Sequence, residues 1–139
     1  MSDKGTIRIG GASGYWGDAA LATPQLLKDQ NLDFLVYDFL AEITMAILAR
    51  VNAKDSSLGY ATDFVENILK PHLKDIANQK IKVISNAGGM NPEACANVVR
   101  SIIKEQGLSL KVITVIGDNL LAKEPKTLIS RPNDMFTGA

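Results

Sequence analysis

One arrangement recurs along this chain and limits what it can fold into: an apolar, β-branched run followed by a glycine-bearing polar loop. Ile7-Arg8-Ile9 leads into Gly10-Gly11-Ala12-Ser13-Gly14-Tyr15-Trp16-Gly17-Asp18. Ile81-Lys82-Val83-Ile84-Ser85 leads into Asn86-Ala87-Gly88-Gly89-Met90-Asn91-Pro92, and Val112-Ile113-Thr114-Val115-Ile116 ends in Gly117-Asp118-Asn119. Helical patterns follow the first two loops. Strands alternating with helices imply a parallel sheet joined by helical crossovers. In open sheets of that kind ligands bind beyond the carboxyl ends of the strands, where these loops fall.

The periodicity predicts the order β-α-β-α-α-β-α-β. Strands are expected at Thr6–Gly10, Asp33–Asp38, Lys80–Ser85 and Leu110–Ile116. The near-continuous apolar run Phe34-Leu35-Val36-Tyr37 fits a strand buried on both faces. Ala19–Gln30 reads as a helix with Asp18 as N-cap, and Thr23-Pro24 marks a restart of its first turn. Ala41–Val51 carries apolar residues at helical spacing. Tyr60–Gln79 does too, with Pro71 expected to kink or divide it. Asn91-Pro92 opens a helix that Gly107 closes at C′. The expected fold is a single α/β domain over residues 1–139. Its small open parallel sheet has about four strands and helices on both faces, Rossmann-like or flavodoxin-like, and residues 122–139 form a weakly structured tail. No helix follows the fourth strand, so cover for part of the sheet would come from a partner chain or from sequence after Ala139.

Composition excludes some function classes. The 139 residues carry 15 Lys plus Arg against 15 Asp plus Glu, so no basic excess exists to neutralise a nucleic-acid backbone or an anionic membrane. No apolar run approaches the ~18 residues that span a bilayer. The opening Met1–Thr6 has no apolar signal-peptide core, and the single cysteine, Cys95, makes no internal disulfide. A reducing, cytoplasmic setting is expected.

Two loops are the candidate ligand sites. In the first, Gly11, Gly14 and Gly17 are spaced by three, which matches neither the dinucleotide fingerprint nor the P-loop. Its backbone N–H groups and the Ser13 hydroxyl are still candidate ligand contacts, while the charge of Asp18 opposes a phosphate at the helix start. In the second, Asn86, Gly88, Gly89 and Asn91 combine amide groups with backbone freedom; Asn91 is the expected helix cap. Gly117 and Asp118 end the predicted fourth strand. Asp18, Asp38, Glu42 and Asp118 all fall at strand ends, where convergence would make them cation ligands or an acid and base; caps and helix-start charges are the alternative. His72, beside Pro71, reads as a packing or surface residue, and Cys95 as a small buried helix residue. Tyr15-Trp16 either walls a pocket or covers a sheet edge. No G-x-S-x-G surrounds Ser13 or Ser85, so a hydrolase elbow is not indicated.

Four blocks in order, Ile9–Asp18, Leu32–Thr44, Ile84–Pro92 and Val115–Leu120, resemble the N-terminal region of the acyclic terpene utilisation protein A family. The resemblance runs from about Ile7 to Leu121; the stretch from Lys123 departs from it, and family members are considerably longer. It implies catabolism of acyclic terpenes such as citronellol and geraniol through coenzyme A thioesters, beside an acyl-CoA carboxylase. Members also occur with other acyl-CoA enzymes, so the substrate need not be a terpene. The family carries over motif positions, namely Gly11, Ser13, Gly14, Asp18, Glu42, Asn86, Gly88, Gly89, Asn91, Gly117 and Asp118, without catalytic assignments. The expectation is therefore a domain that binds an acyl-CoA-type or other phosphate-bearing ligand at the strand ends. In an enzymatic version Asp18 or Glu42 is the general base for hydratase or lyase chemistry on an acyl thioester. The alternative is a non-catalytic assembly module that docks on an acyl-CoA carboxylase or self-associates.

Overall fold

The computed structural model describes residues 5–28, 31–119, 133 and 136–138. Three strands, β1 (Ile9–Ser13), β2 (Phe34–Tyr37) and β3 (Lys82–Ser85), form a parallel sheet in the order β1-β2-β3. The helices are α1 (Ala19–Leu27), α2 (Glu42–Lys54), α3 (Lys70–Gln79) and α4 (Pro92–Glu105), and a π-helical segment, Phe64–Leu69, runs directly into α3. Most of the expected tail lies outside the described residues. Among the described residues no helix is long and apolar enough to cross a membrane.

The strand order decides where the helices lie. Right-handed crossovers that always step in the same direction place every crossover helix on one side of the sheet. Burial agrees. On one face Gly10, Leu35 and Tyr37 are buried, under a core that includes Leu27, Phe64, Ile68, Leu73, Ile76, Val99 and Ile103 from the helical layer. Tyr37 and Phe39 meet Phe64 edge-on at centroid distances of 5.3 and 5.4 Å, a geometry favoured by the ring quadrupoles. On the other face Ile9 is 63% and Ile84 54% exposed. The expectation of helices on both faces is thus not met among the described residues. Periodicity within β2 reports apolar residues, not which of its faces has a neighbour.

The expected fourth strand is absent among the described residues: 108–119 form no strand. Leu108, Leu110 and Val112 pack against the core, while the intervening Ile113 and Val115 are 86% and 88% exposed. Any extended stretch laid along a core alternates in this way; a strand also needs a ladder with a neighbour. The first strand is displaced from Thr6–Gly10 to Ile9–Ser13. A bulge between Gly11 and Ser13 lets pairing continue, with Gly11 opposite Val36 and Ser13 opposite Tyr37.

Local chemistry explains the helix ends. Asn91 accepts a hydrogen bond from the Ala94 N–H at 3.2 Å and so caps α4. At its other end Gly107 takes φ +68°, with Leu108 N–H bonded to Ile103 and Gly107 N–H to Lys104, a Schellman closure. Pro71 sits in the first turn of α3. It has no N–H to offer the preceding turn, and the helix is π-wound immediately before it. In contrast, α1 runs through Thr23-Pro24 without a restart. Buried Thr23 donates its hydroxyl back to Ala19 at 2.8 Å and meets the Tyr37 hydroxyl at 3.1 Å.

Candidate functional site

The carboxyl ends of the three strands gather the first loop, the turn after β2 and the second loop. Ser13 donates its hydroxyl to the Asp38 carbonyl at 3.1 Å. The Asp38 carboxylate accepts from the Asn86 amide at 2.7 Å, and the Asn86 carbonyl oxygen accepts from the Phe39 N–H at 2.8 Å. Ser13, Asp38 and Asn86 are thereby tied into one row across the sheet edge. Each keeps capacity for a ligand: Asn86 has a second amide hydrogen, Ser13 an acceptor lone pair and Asp38 a second oxygen.

The second loop is clamped from beneath. Ala61 N–H binds the Ala87 carbonyl at 2.9 Å and Met90 N–H binds the Gly59 carbonyl at 2.9 Å. The Asn91 amide donates to the Ser56 and Leu58 carbonyls at 2.8 and 3.0 Å, and Asn52 donates to Leu58 at 2.7 Å. Asn91 is therefore occupied as cap and strut. Gly89 adopts φ +50°, under Leu48 of α2, so close approach as well as backbone sign requires glycine there. Gly88 lies against Pro92, whose Cα is 2.9 Å from the place a Cβ would take.

The first loop closes differently from expectation. Asp18 makes no side-chain cap to α1. Its carboxylate turns back and accepts from the Gly14 N–H at 2.8 Å, while the other oxygen, Oδ1, is buried with no partner. Gly17 at φ +121° makes that reversal possible. Gly11 lies within β1 and on the open face of the sheet, away from the loop to which the sequence pattern assigns it. Half-buried Trp16 donates to Asp63 at 2.6 Å, whereas Tyr15 is exposed. Asp63 carries no sequence signal of its own; only the fold brings it to Trp16.

The remaining candidates do not join this cluster into a cation site. Glu42 is exposed in the first turn of α2. Gly117 and Asp118 are exposed and, with no fourth strand, do not stand at a strand end. Among the described residues no group of three or more His, Cys, Asp or Glu side chains is placed to hold a metal ion. Cys95 is buried, and burial pushes its thiol up to about 11, so at neutral pH it is a protonated packing group. Half-buried His72 lines a groove of about 300 Å³ with Pro24, Leu27, Lys28, Asp75 and Gln79 between α1 and α3. That groove is remote from the strand-end loops.

Against known families, the chain matches the model described as acyclic terpene utilisation family protein AtuA over residues 7–138. No curated protein and no solved structure matches it.

Proposed function

Because the chain belongs to the acyclic terpene utilisation family, we propose that its strand-end row, Ser13, Asp38 and Asn86, contacts an acyl-CoA-type ligand in that catabolic setting. The observation that carries this reading is the bonding of Ser13 to Asp38 and of Asp38 to Asn86, which holds both glycine loops at one edge with spare polar capacity. Gly14, Gly88 and Gly89 supply backbone to the same edge. The phosphate-bearing end of the ligand lies away from Asp18 and Asp38, whose charges repel it; the hydroxyl or thioester end meets the row.

Of the two candidate bases, the geometry favours Asp18. Its orphaned Oδ1 is withdrawn from water beside Gly14, whereas Glu42 is exposed. A carboxylate with one oxygen on a backbone N–H and the other unpartnered is suited to take the α-proton of a bound hydroxyacyl thioester as its hydroxyl leaves as water or, in the reverse hydration of an enoyl thioester, a proton from the attacking water. Gly117 and Asp118 are exposed and end no strand, and Asn91 serves the site by fixing the second loop.

The test is a melting experiment on the chain with acyl-CoAs, free coenzyme A and NAD(P). A ligand at a hundredfold excess over Kd stabilises the native state by about 2.7 kcal/mol. An upward shift with acyl-CoA alone, lost in Ser13→Ala with the apo melt preserved, is the expected result. No shift with any acyl-CoA in a cooperatively melting chain refutes the reading. For the base, turnover of acyl thioesters is expected to fall in Asp18→Asn and to persist in Glu42→Gln.

A further inference from the structure

Residues 14–18 hold an arrangement that the loop cannot keep by itself. Gly14 and Gly17 give it backbone freedom, with Gly17 at φ +121°. Tyr15 is 65% exposed and adds little packing. Yet the loop keeps Asp18 Oδ1 buried without a donor. A buried acceptor left without its bond is costly, and such an arrangement persists only where the surroundings over-determine it. Within the loop one side-chain bond closes the turn, from Gly14 N–H to Asp18 at 2.8 Å. That bond is exposed to water, the kind that opens locally, so the hold must come from outside the turn.

Among the described residues, one side-chain hydrogen bond joins residues 14–18 to a distant part of the chain: Trp16 Nε1 donates to Asp63 Oδ1 at 2.6 Å. Both partners are well seated. Asp63 immediately precedes the π-helical segment, whose Phe64, Val65, Ile68 and Leu69 are buried, so the acceptor stands on a fixed footing. The half-buried Trp16 ring packs against the same core. An N–H bond to a carboxylate is short and stronger than a neutral pair. Trp16 lies two residues from Gly14 and two from Asp18, so the bond pins the turn at its middle. We propose that Asp63 is a positioning residue of the first loop, which through Trp16 sets where the Asp18 carboxylate stands. The chemical role of Asp18 rests on the function proposed above; the placement of its carboxylate does not.

The test compares Asp63→Ala and Trp16→Phe, which each remove one partner, with Asp63→Asn, which keeps an acceptor in the same place. The first readout needs no ligand: exchange of the Gly14 amide proton, followed by NMR of the full chain. Both removals should speed it about tenfold or more, while Leu35 in β2 stays protected and Asp63→Asn stays within about threefold of the parent. A merely structural bond would lower the melting temperature and leave Gly14 at the parental rate. The second readout is turnover of an acyl thioester. There kcat should fall about tenfold or more in both removals, with KM within about threefold because Ser13, Asp38 and Asn86 are undisturbed. Parental Gly14 exchange in the removals, exchange as fast in Asp63→Asn as in Asp63→Ala, or a parental kcat overturns the proposal. A parent chain without turnover refutes Asp18 as the base, and Gly14 exchange then decides the placement by itself. Trp16→Phe keeps a ring in the core and carries the test if Asp63→Ala does not fold.

Discussion

Gly89→Ala tests how the second loop is held. The wild-type residue has φ +50°, a conformation that costs a side-chain-bearing residue about 1 kcal/mol or more. An added Cβ would overlap Leu48 Cδ1 and lie 2.9 Å from the Gly59 carbonyl oxygen. Leu48 can turn its methyl aside, but the carbonyl belongs to the backbone and is already engaged by Met90 N–H. Overpacking of this kind costs about 1–3 kcal/mol, so the total loss is about 2–4 kcal/mol. For a chain of this size that is a fall in Tm of about 6–16 °C. Leu48→Ala, at a side chain 2% exposed, costs about 2–4 kcal/mol by itself. Because it removes one of the two overlaps, the double variant should lose less than the sum, by at least about 0.5 kcal/mol. The assay is urea unfolding followed by Trp16 fluorescence, with circular dichroism as a second probe. A Gly89→Ala chain within about 0.5 kcal/mol of the parent, or strict additivity with Leu48→Ala, would refute the picture of α2 pressed onto this loop.

Other perturbations follow from the same contacts. Asn86→Ala leaves the Phe39 N–H without its partner and should cost about 1–3 kcal/mol in urea unfolding; Asn86→Asp sets a carboxylate against Asp38 and should cost more at pH 7 than at pH 3. Lys80, which closes α3 at φ +59°, should gain about 0.5–1 kcal/mol on substitution by glycine, because the two closing backbone bonds to Ala77 and Ile76 survive. Burial raises Cys95 from 9.0 to about 11 and also raises Tyr37. Their neutral forms thus favour the folded state, a contribution complete below about pH 9 and lost as the pH climbs through 11. Tm should be level with respect to these groups up to about pH 9 and fall above it, and Cys95 should resist a thiol reagent at pH 8 until the chain is denatured. A melt that improves between pH 9 and 11 contradicts this burial.

Much of the local structure was legible in the residues. Asn91-Pro92 and Gly107 bracket α4 because a cap, a preset φ and a left-handed closure are short-range bonds carried by those side chains themselves. Phe34–Tyr37 and Lys82–Ser85 read as strands because their apolar, β-branched runs are bounded by turn residues. Family membership was legible as well, from four loop blocks in order. The strand-end loops were located correctly in the second case and offset in the first, where the bulge at Ala12 carried Gly11 and Ser13 into β1.

The rest belongs to the tertiary structure. Asp18 is a cap by residue type, yet the turn at Gly17 aims its carboxylate at Gly14. Asp63 means nothing until the π-helical segment brings it to Trp16. Among the described residues Leu110–Ile116 has the alternation of a strand but no ladder, and β2 has apolar residues on both sides but helices over one. Spacing along a chain records which residues avoid water; hydrogen-bond ladders and covered faces depend on neighbours distant in sequence. By itself, therefore, the sequence determined the ends of α4, two of the three strands and the family. Only the tertiary structure decided which polar groups meet at the strand ends and which face of the sheet the described helices cover, because same-direction crossovers put their helices on one side.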